Sequence, residues 1–289
     1  MGDYRTTKPE EIWKKIRDGE ITEPTAGMCG GYAQANLVIL PKKYAEDFKK
    51  FAERNPKPCP ILEIMDGSPL VHDMGEGANI VTDIPRYFIY KNGVKVDEVT
   101  DASEYWQDDF VGFLIGCSFS FEEALLQAGI DVRHISMGRN VPMYKTNIEC
   151  EKAGVFEGPL VCSMRPMTPE NAKKAAEITE KFPNVHGGPV HMGDPEKIGI
   201  KDIDHPDYGD FSAVFFTSVT NICPGAWVMQ NSGFECMTTA CGVTPQAAIE
   251  RAKPPIVITH APGHMFITNV KNAELNDYLE KKKQGTKSL

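Results

Sequence analysis

The chain has 289 residues, 41% of them apolar and 25% charged, with 40 acidic against 31 basic side chains and a formal charge of −9. These are the proportions of an ordinary soluble globular protein, with enough chain for one large domain or two modest ones. The acidic balance and the lack of any Lys/Arg run exclude general affinity for nucleic acid or an anionic membrane, and no apolar stretch is long enough to span a bilayer.

The N-terminal residues, with Lys14, Lys15 and Arg17, lack the apolar core of a signal peptide. The cysteines at 29, 59, 117, 150, 162, 223, 236 and 241 contain no C-x-x-C pair. Reduced thiols in a cytoplasmic protein are therefore expected.

In chain order, Thr7 to Glu10 has the T-x-x-E spacing of a capping box, and Ile12, Trp13 and Ile16 share one face of the helix that follows. Leu37–Leu40 reads as a strand. Pro41 suits the first turn of the next helix, whose apolar face carries Tyr44, Phe48 and Phe51. Ile61–Ile64 is a second strand, which makes a βαβ-like unit. Residues 66–80, rich in Gly and acids, read as an exposed loop. Asn92-Gly93 tolerates the positive φ angles of a type I′ turn and predicts a hairpin between Arg86–Tyr90 and Val94–Val96.

The stretch from Phe110 to Ile130 reads as strand, tight turn and helix. Gly116-Cys117-Ser118 breaks the apolar run, Ser120 and Glu123 stand at capping-box spacing, and Gly129 is a natural stop. A helix N-terminus offers free N–H groups and positive potential, so this turn is expected to lower the pKa of Cys117 and to supply donors to an oxyanion.

Arg133 to Ile148 is polar, with few apolar residues to make it core, and is read as a loop lining a site. Leu160–Ser163 is a strand. Arg165 follows with no acid within three residues, so its side chain is expected to be free. Thr168-Pro169 caps a helix reaching about Phe182. His186, His191, Asp194, His205 and Asp207 are residue types that could ligate a metal, but the surrounding Gly and Pro are turn-like, and no metal is expected. Phe211 to Met229 reads as one or two strands. Thr244-Pro245 caps a further helix. Ile256–His260 is a strand ending at Ala-Pro-Gly-His264, where Pro262-Gly263 excludes a helical H-x-x-x-H zinc site. No Walker loop, G-x-S-x-G or dinucleotide fingerprint occurs, and no cofactor is expected.

Four apolar strands thus end in small polar or titratable residues, at Cys117-Ser118, at Ser163 to Arg165, at Cys241-Gly242 and at His260 to His264. If they are neighbours in a mainly parallel sheet, those ends share one cleft.

Gly-Tyr-Ala-Gln-Ala-Asn-Leu (31–37), Arg-Asn-Pro-Lys-Pro-Cys-Pro (54–60), Gly-Cys-Ser-Phe-Ser-Phe-Glu (116–122), Gly-Arg-Asn-Val-Pro-Met-Tyr (138–144) and Ser-Met-Arg-Pro (163–166) resemble a hydro-lyase family whose characterised mitochondrial members are D-glutamate cyclases. Gly-Asp-Pro (193–195), Pro-Asp-Tyr-Gly-Asp (206–210), Ala-Cys-Gly-Val-Thr-Pro-Gln (240–246) and Thr-His-Ala-Pro-Gly-His (259–264) extend the likeness from about Pro9 to Thr268. Phe211 to Thr239 departs from the pattern, being longer and more apolar. The resemblance implies a three-layer α/β/α sandwich with a smaller two-layer α+β unit, divided here as 1–130 with 206–289 and as 131–205. It also implies conversion of D-glutamate to 5-oxo-D-proline and water. A hydro-lyase acting on another small carboxylate and a non-enzymatic amino-acid-binding protein are the alternatives, and a homo-oligomer is compatible with either.

Ring closure needs a neutral amine, a neutralised γ-carboxyl and a stabilised oxyanion. On chemical grounds His264 and His260 are candidates to move protons, and Cys117 and Ser118 to line the oxyanion turn. Arg165 and Arg139 suit a substrate carboxylate, with Asn140, Tyr144 and Ser163 as polar neighbours. Cys117 is not expected to be a nucleophile, because a carboxylate is a poor target for a thiolate and the substrate carries its own amine.

Overall fold

The computed structural model describes residues 4–211 and 235–286. The reading of Phe211 to Met229 as strand lies outside these residues, apart from Phe211 itself. One sheet contains β1 (Tyr32–Pro41), β2 (Ile61–Asp66), β3 (Tyr87–Lys91), β4 (Val94–Val99), β5 (Phe110–Gly116), β10 (Val257–His260) and β11 (Phe266–Lys271). Its order is β2-β5-β1-β10-β3-β4, with β11 also on β1. The second sheet contains β6 (Met143–Glu149), β7 (Pro159–Met167), β8 (His191–Gly193) and β9 (Glu235–Ala240) in the order β6-β7-β9-β8. It therefore draws on residues 143–193 and on a strand from beyond residue 206.

The larger sheet is covered on both faces, because successive side chains along β1 point to opposite sides. Leu37 and Ile39 pack with Trp13 of α1 (Pro9–Arg17), Phe121 and Leu125 of α3 (Phe119–Gln127), Ala172 and Ala175 of α5 (Pro169–Thr179) and Leu275 of α7 (Asn272–Thr286). Val38 and Leu40 face Phe48 and Phe51 of α2 (Lys42–Arg54) and Ala248 and Ile249 of α6 (Thr244–Ala252). Each large apolar side chain buried here contributes roughly 1.5–3 kcal/mol. The mixed α/β sandwich expected from the sequence is what forms.

The strand directions correct the expected mainly parallel sheet: every pairing between described strands is antiparallel. Continuous apolar runs arise wherever a strand is covered on both faces, and that is usual for parallel sheets. Here an antiparallel sheet is covered the same way. The βαβ-like unit survives in split form, since β1 and β2 both run antiparallel to β5, which lies between them.

Local signals fared unevenly. Asn92 and Gly93 take φ of 50° and 78°, as a type I′ hairpin needs, and Thr168 accepts from Asn171 N as an N-cap. Gly129, with φ of 77° just past the end of α3, is the stop expected of it, but the other N-capping expectations fail. Ser120 lies inside α3, with its Oγ accepting from Gln34 N at 2.9 Å, and Glu123 pairs with Arg5. Lys8 precedes α1 without a side-chain cap, and Thr244 Oγ1 accepts from Val161 N of β7. The polar stretch from Arg133 is not one loop, because it contains α4 (Arg133–Ser136) and β6.

Candidate active site

β10 and β11 occupy successive stretches of the same edge of β1: Val38 and Ile39 face β10, while Tyr32 to Ala35 face β11. Between them the chain turns out of the sheet at residues 261–265. At this break Leu37 N–H donates to His260 Nδ1 at 3.0 Å. His260 is fully buried, and burial holds its pKa down at about 4. The ring thus satisfies a donor where the ladder lapses.

The turn itself is tightly held. Gly263 has φ of +88°, and a Cβ there would stand 2.3 Å from Asn140 Oδ1, so only glycine fits. Thr25 N donates to Gly263 O at 2.9 Å, and Met265 N donates to Thr25 Oγ1 at 3.0 Å. His264 Nδ1 lies 3.2 Å from Pro262 O. A carbonyl only accepts, so Nδ1 carries the proton and Nε2 is the lone-pair nitrogen. Burial lowers the His264 pKa, the Pro262 bond partly offsets this and the Arg86 charge lowers it further, so the ring is neutral near physiological pH.

His264 lines a cleft of about 620 Å³, together with Arg86, Tyr208, Asp210 and Glu23. Arg86 Nη1 donates to Glu98 at 2.8 Å, and among the described residues Nη2 reaches only Thr22 O at 3.4 Å. Tyr208 remains a neutral phenol because burial raises its pKa. The cleft therefore offers a guanidinium, a neutral imidazole and carboxylates around one space.

Cys117, Val141, Cys241 and Met265 share one apolar cluster, and a separate, buried polar network forms around Arg165. Arg165 of β7 donates through Nε to Glu122 Oε1 at 3.1 Å, through Nη2 to the same oxygen and to Ser118 Oγ, and through Nη1 to Thr239 Oγ1. His134 Nε2 is 3.1 Å from Glu122 Oε1, although its N–H is not aimed at that oxygen. Burial pushes the Glu122 carboxyl up, but the charges of His134 and Arg165 and the hydrogen bonds of Arg165 outweigh it and hold the pKa below the usual carboxylate range. Glu122 Oε2, Ser163 Oγ and His186 Nε2 are buried with no hydrogen-bond partner among the described residues.

Residues 111–269 match the D-glutamate cyclase family model. A protein of Thermoanaerobacter sp. (strain X514) named "Putative hydro-lyase" is 52% identical over 94% of this chain and 97% of its own. Similarly named proteins of Bacillus subtilis and Staphylococcus haemolyticus are 52% and 51% identical, over 92% and 95% of this chain and 98% and 100% of their own. The chain belongs to the D-glutamate cyclase family. It is thus a carbon–oxygen lyase of the hydro-lyase class. A crystal structure of a nitrogen repressor-like protein from Methanococcus jannaschii covers 91% of this chain and 99% of its own, at 12% identity and a TM-score of 0.32, too low to bear on the fold.

Within this cyclase-family fold the residues singled out from sequence divide into separate places. Ser118, Ser163 and Arg165 are buried together, with Arg165 bonded to Ser118, and Cys117 lies in the apolar cluster with Cys241. His264 lines the cleft and Asn140 braces it, donating through Nδ2 to Pro262 O at 2.9 Å. Arg139 stands at the surface on Phe211 O. Tyr144 is buried among Met164, Ile198 and Ile203, with its hydroxyl on Ile203 O. Two expectations are corrected. Arg165 is not free, because Glu122, 43 positions earlier, reaches it through the fold. The Cys117 pKa is raised rather than lowered, because burial outweighs the Phe119 N–H that favours the thiolate. Among the N–H groups expected to serve an oxyanion, that of Cys117 is already given to Gln34 O.

Sequence reasoning missed Arg86, Glu122 and His134 as site residues. Glu122 ends the Gly-Cys-Ser-Phe-Ser-Phe-Glu motif, where a carboxylate between apolar helix positions was a usable signal. Arg86 opens a hairpin strand and carries none. Among the described residues no group of three or more His, Cys, Asp or Glu side chains could hold a metal ion.

Proposed function

We propose that this enzyme cyclises D-glutamate to 5-oxo-D-proline and water in the cleft beside His264. The observation that carries the reading is the fixed tautomer of His264, whose lone-pair nitrogen belongs to a ring lining a cleft with an under-coordinated guanidinium. Arg86 would hold the α-carboxylate through Nη2, and Asp210 or Glu23 the ammonium group. His264 Nε2 would take a proton from that ammonium, freeing the amine to attack the γ-carboxyl carbon. The C–N bond forms, one C–O bond breaks, and both protons lost by nitrogen leave with the departing oxygen as water. One group that can accept and return a proton therefore serves both halves of the reaction. Holding amine and carboxyl within one bound molecule supplies the proximity.

The test is incubation of the purified protein with D-glutamate, L-glutamate and both 5-oxoproline enantiomers, followed by chiral chromatography. Interconversion confined to the D pair supports the reading. No conversion above a boiled control rejects it, and turnover of a different small carboxylate would reassign the substrate within the hydro-lyase class.

A further inference from the structure

The oxygen that orients His264 is shared. Pro262 O lies 2.9 Å from Asn140 Nδ2 and 3.2 Å from His264 Nδ1. A carbonyl oxygen has two lone pairs, so the two side chains between them occupy it. Asn140 is itself anchored: its backbone N–H donates to Asp210 Oδ2 at 2.9 Å, and its side chain is buried against Gly263. Its Oδ1 has no partner among the described residues. From the opposite side Thr25 holds Gly263 O and the Met265 N–H, and its hydroxyl donates to Gln34 Oε1 at 2.8 Å, inside the core. The turn carrying His264 is thus clamped on both sides, by groups that reach neither Nε2 nor Arg86.

We infer that Asn140 is a positioning residue, with Thr25 as its counterpart, which fixes the His264 ring with its proton on Nδ1 by locking the Pro262 carbonyl. The inference rests on the reading of His264 as the group that moves protons, but its decisive test does not need turnover. An unconstrained imidazole favours the proton on Nε2, which would leave that nitrogen without its lone pair. A hydrogen bond made by one ring nitrogen decides the state of the other, and Pro262 O can perform that task only while it is held still. Asn140 is thereby removed from the substrate-binding role that its residue type suggests.

The experiment is nitrogen-15 NMR of the histidine side chains in the full chain. Wild type, Asn140→Ala, Asn140→Ser and Thr25→Val would be compared, with His264→Gln to assign the signal. Wild type is expected to show a dominant Nδ1–H signature for His264. Asn140→Ala should move it toward the Nε2–H form, and Asn140→Ser, which keeps a donor, should restore part of the difference. Thr25→Val, nearly isosteric, should shift it in the same direction as Asn140→Ala. Where turnover is measurable, kcat should fall roughly tenfold to a hundredfold with KM little changed, the scale on which outer partners of a functional histidine act. An unchanged His264 signature in folded Asn140→Ala and Thr25→Val overturns the inference, as does a raised KM with the signature unmoved, which would make Asn140 a substrate contact. If no carboxylate is turned over yet the signature shifts as described, the proposed reaction fails and the positioning role stands.

Discussion

Arg165 directs two N–H groups, one on Nε and one on Nη2, at a single oxygen of Glu122, while the other carboxylate oxygen has no partner among the described residues. Both side chains are almost wholly buried. This contact joins α3, at the end of β5 in the large sheet, to β7 in the small one. Removing one member of such a pair leaves the other charged and desolvated, a loss of roughly 3–5 kcal/mol, whereas replacing both with apolar residues is often nearly neutral. Glu122→Ala and Arg165→Ala should each lower stability by about that amount, and Glu122→Leu combined with Arg165→Met by clearly less than either. Urea unfolding of the three variants checks this, and strictly additive losses would reject it.

Stability should fall on mild acidification. Glu122 has a folded pKa below the ordinary value, so its stabilisation is complete above the usual carboxylate range and disappears as pH falls through the folded value. His186 and His260 act over a higher range: burial holds both at about 4 against an ordinary 6.5. Between those values the unfolded chain takes up protons that the folded chain refuses, so stability drops as pH falls from 6.5 towards 4, each ring contributing on the order of a few kcal/mol. Urea midpoints across this range should show the slope, and His186→Asn should flatten it. Asparagine tolerates the left-handed φ of 83° found at position 186.

His264→Gln should keep the fold and lower turnover by about 10²–10⁴-fold, the usual contribution of a positioned proton-transfer group. The wild-type kcat/KM should rise with pH and level off above the lowered His264 pKa, because the neutral ring is the working form. A folded His264→Gln variant with the wild-type rate would remove the residue from the reaction.

Cys117 should be chemically quiet. Burial raises its thiol well above the ordinary range, whereas half-buried Cys150 is raised only to about 11. Iodoacetamide mapped by mass spectrometry should mark Cys150 before Cys117 in the native protein, and Cys117→Ser should retain cyclisation. Rapid labelling of Cys117, or an acyl group trapped on it, would reverse this view.

What the sequence disclosed was local. Asn92-Gly93 announced its hairpin because only a positive-φ turn suits that pair, and Thr168 announced a helix because its hydroxyl serves the next turn. Strand direction was hidden: Leu37–Leu40 reads the same whether its neighbours run parallel or antiparallel, once both faces are covered. The Arg165–Glu122 pair was equally hidden, since nothing in the spacing of two residues 43 positions apart says that they meet. His264 was legible as a titratable residue at a strand end, but its cleft partner Arg86 comes from a distant hairpin. His260, which looked its equal, is occupied by the backbone of Leu37.

The edge of β1 that receives β10 and β11 has a consequence for biosynthesis. Tyr32 to Ile39 leave the ribosome well before their partners on that edge, which lie at residues 258–271. Until those partners are made, a long apolar strand waits with open hydrogen-bonding groups on that edge, the condition in which nascent chains pair wrongly or aggregate. Contacts this distant in sequence also slow folding. The covered, antiparallel centre of the finished sheet thus depends on a strand whose edge stays open until residues 258–271 have been made.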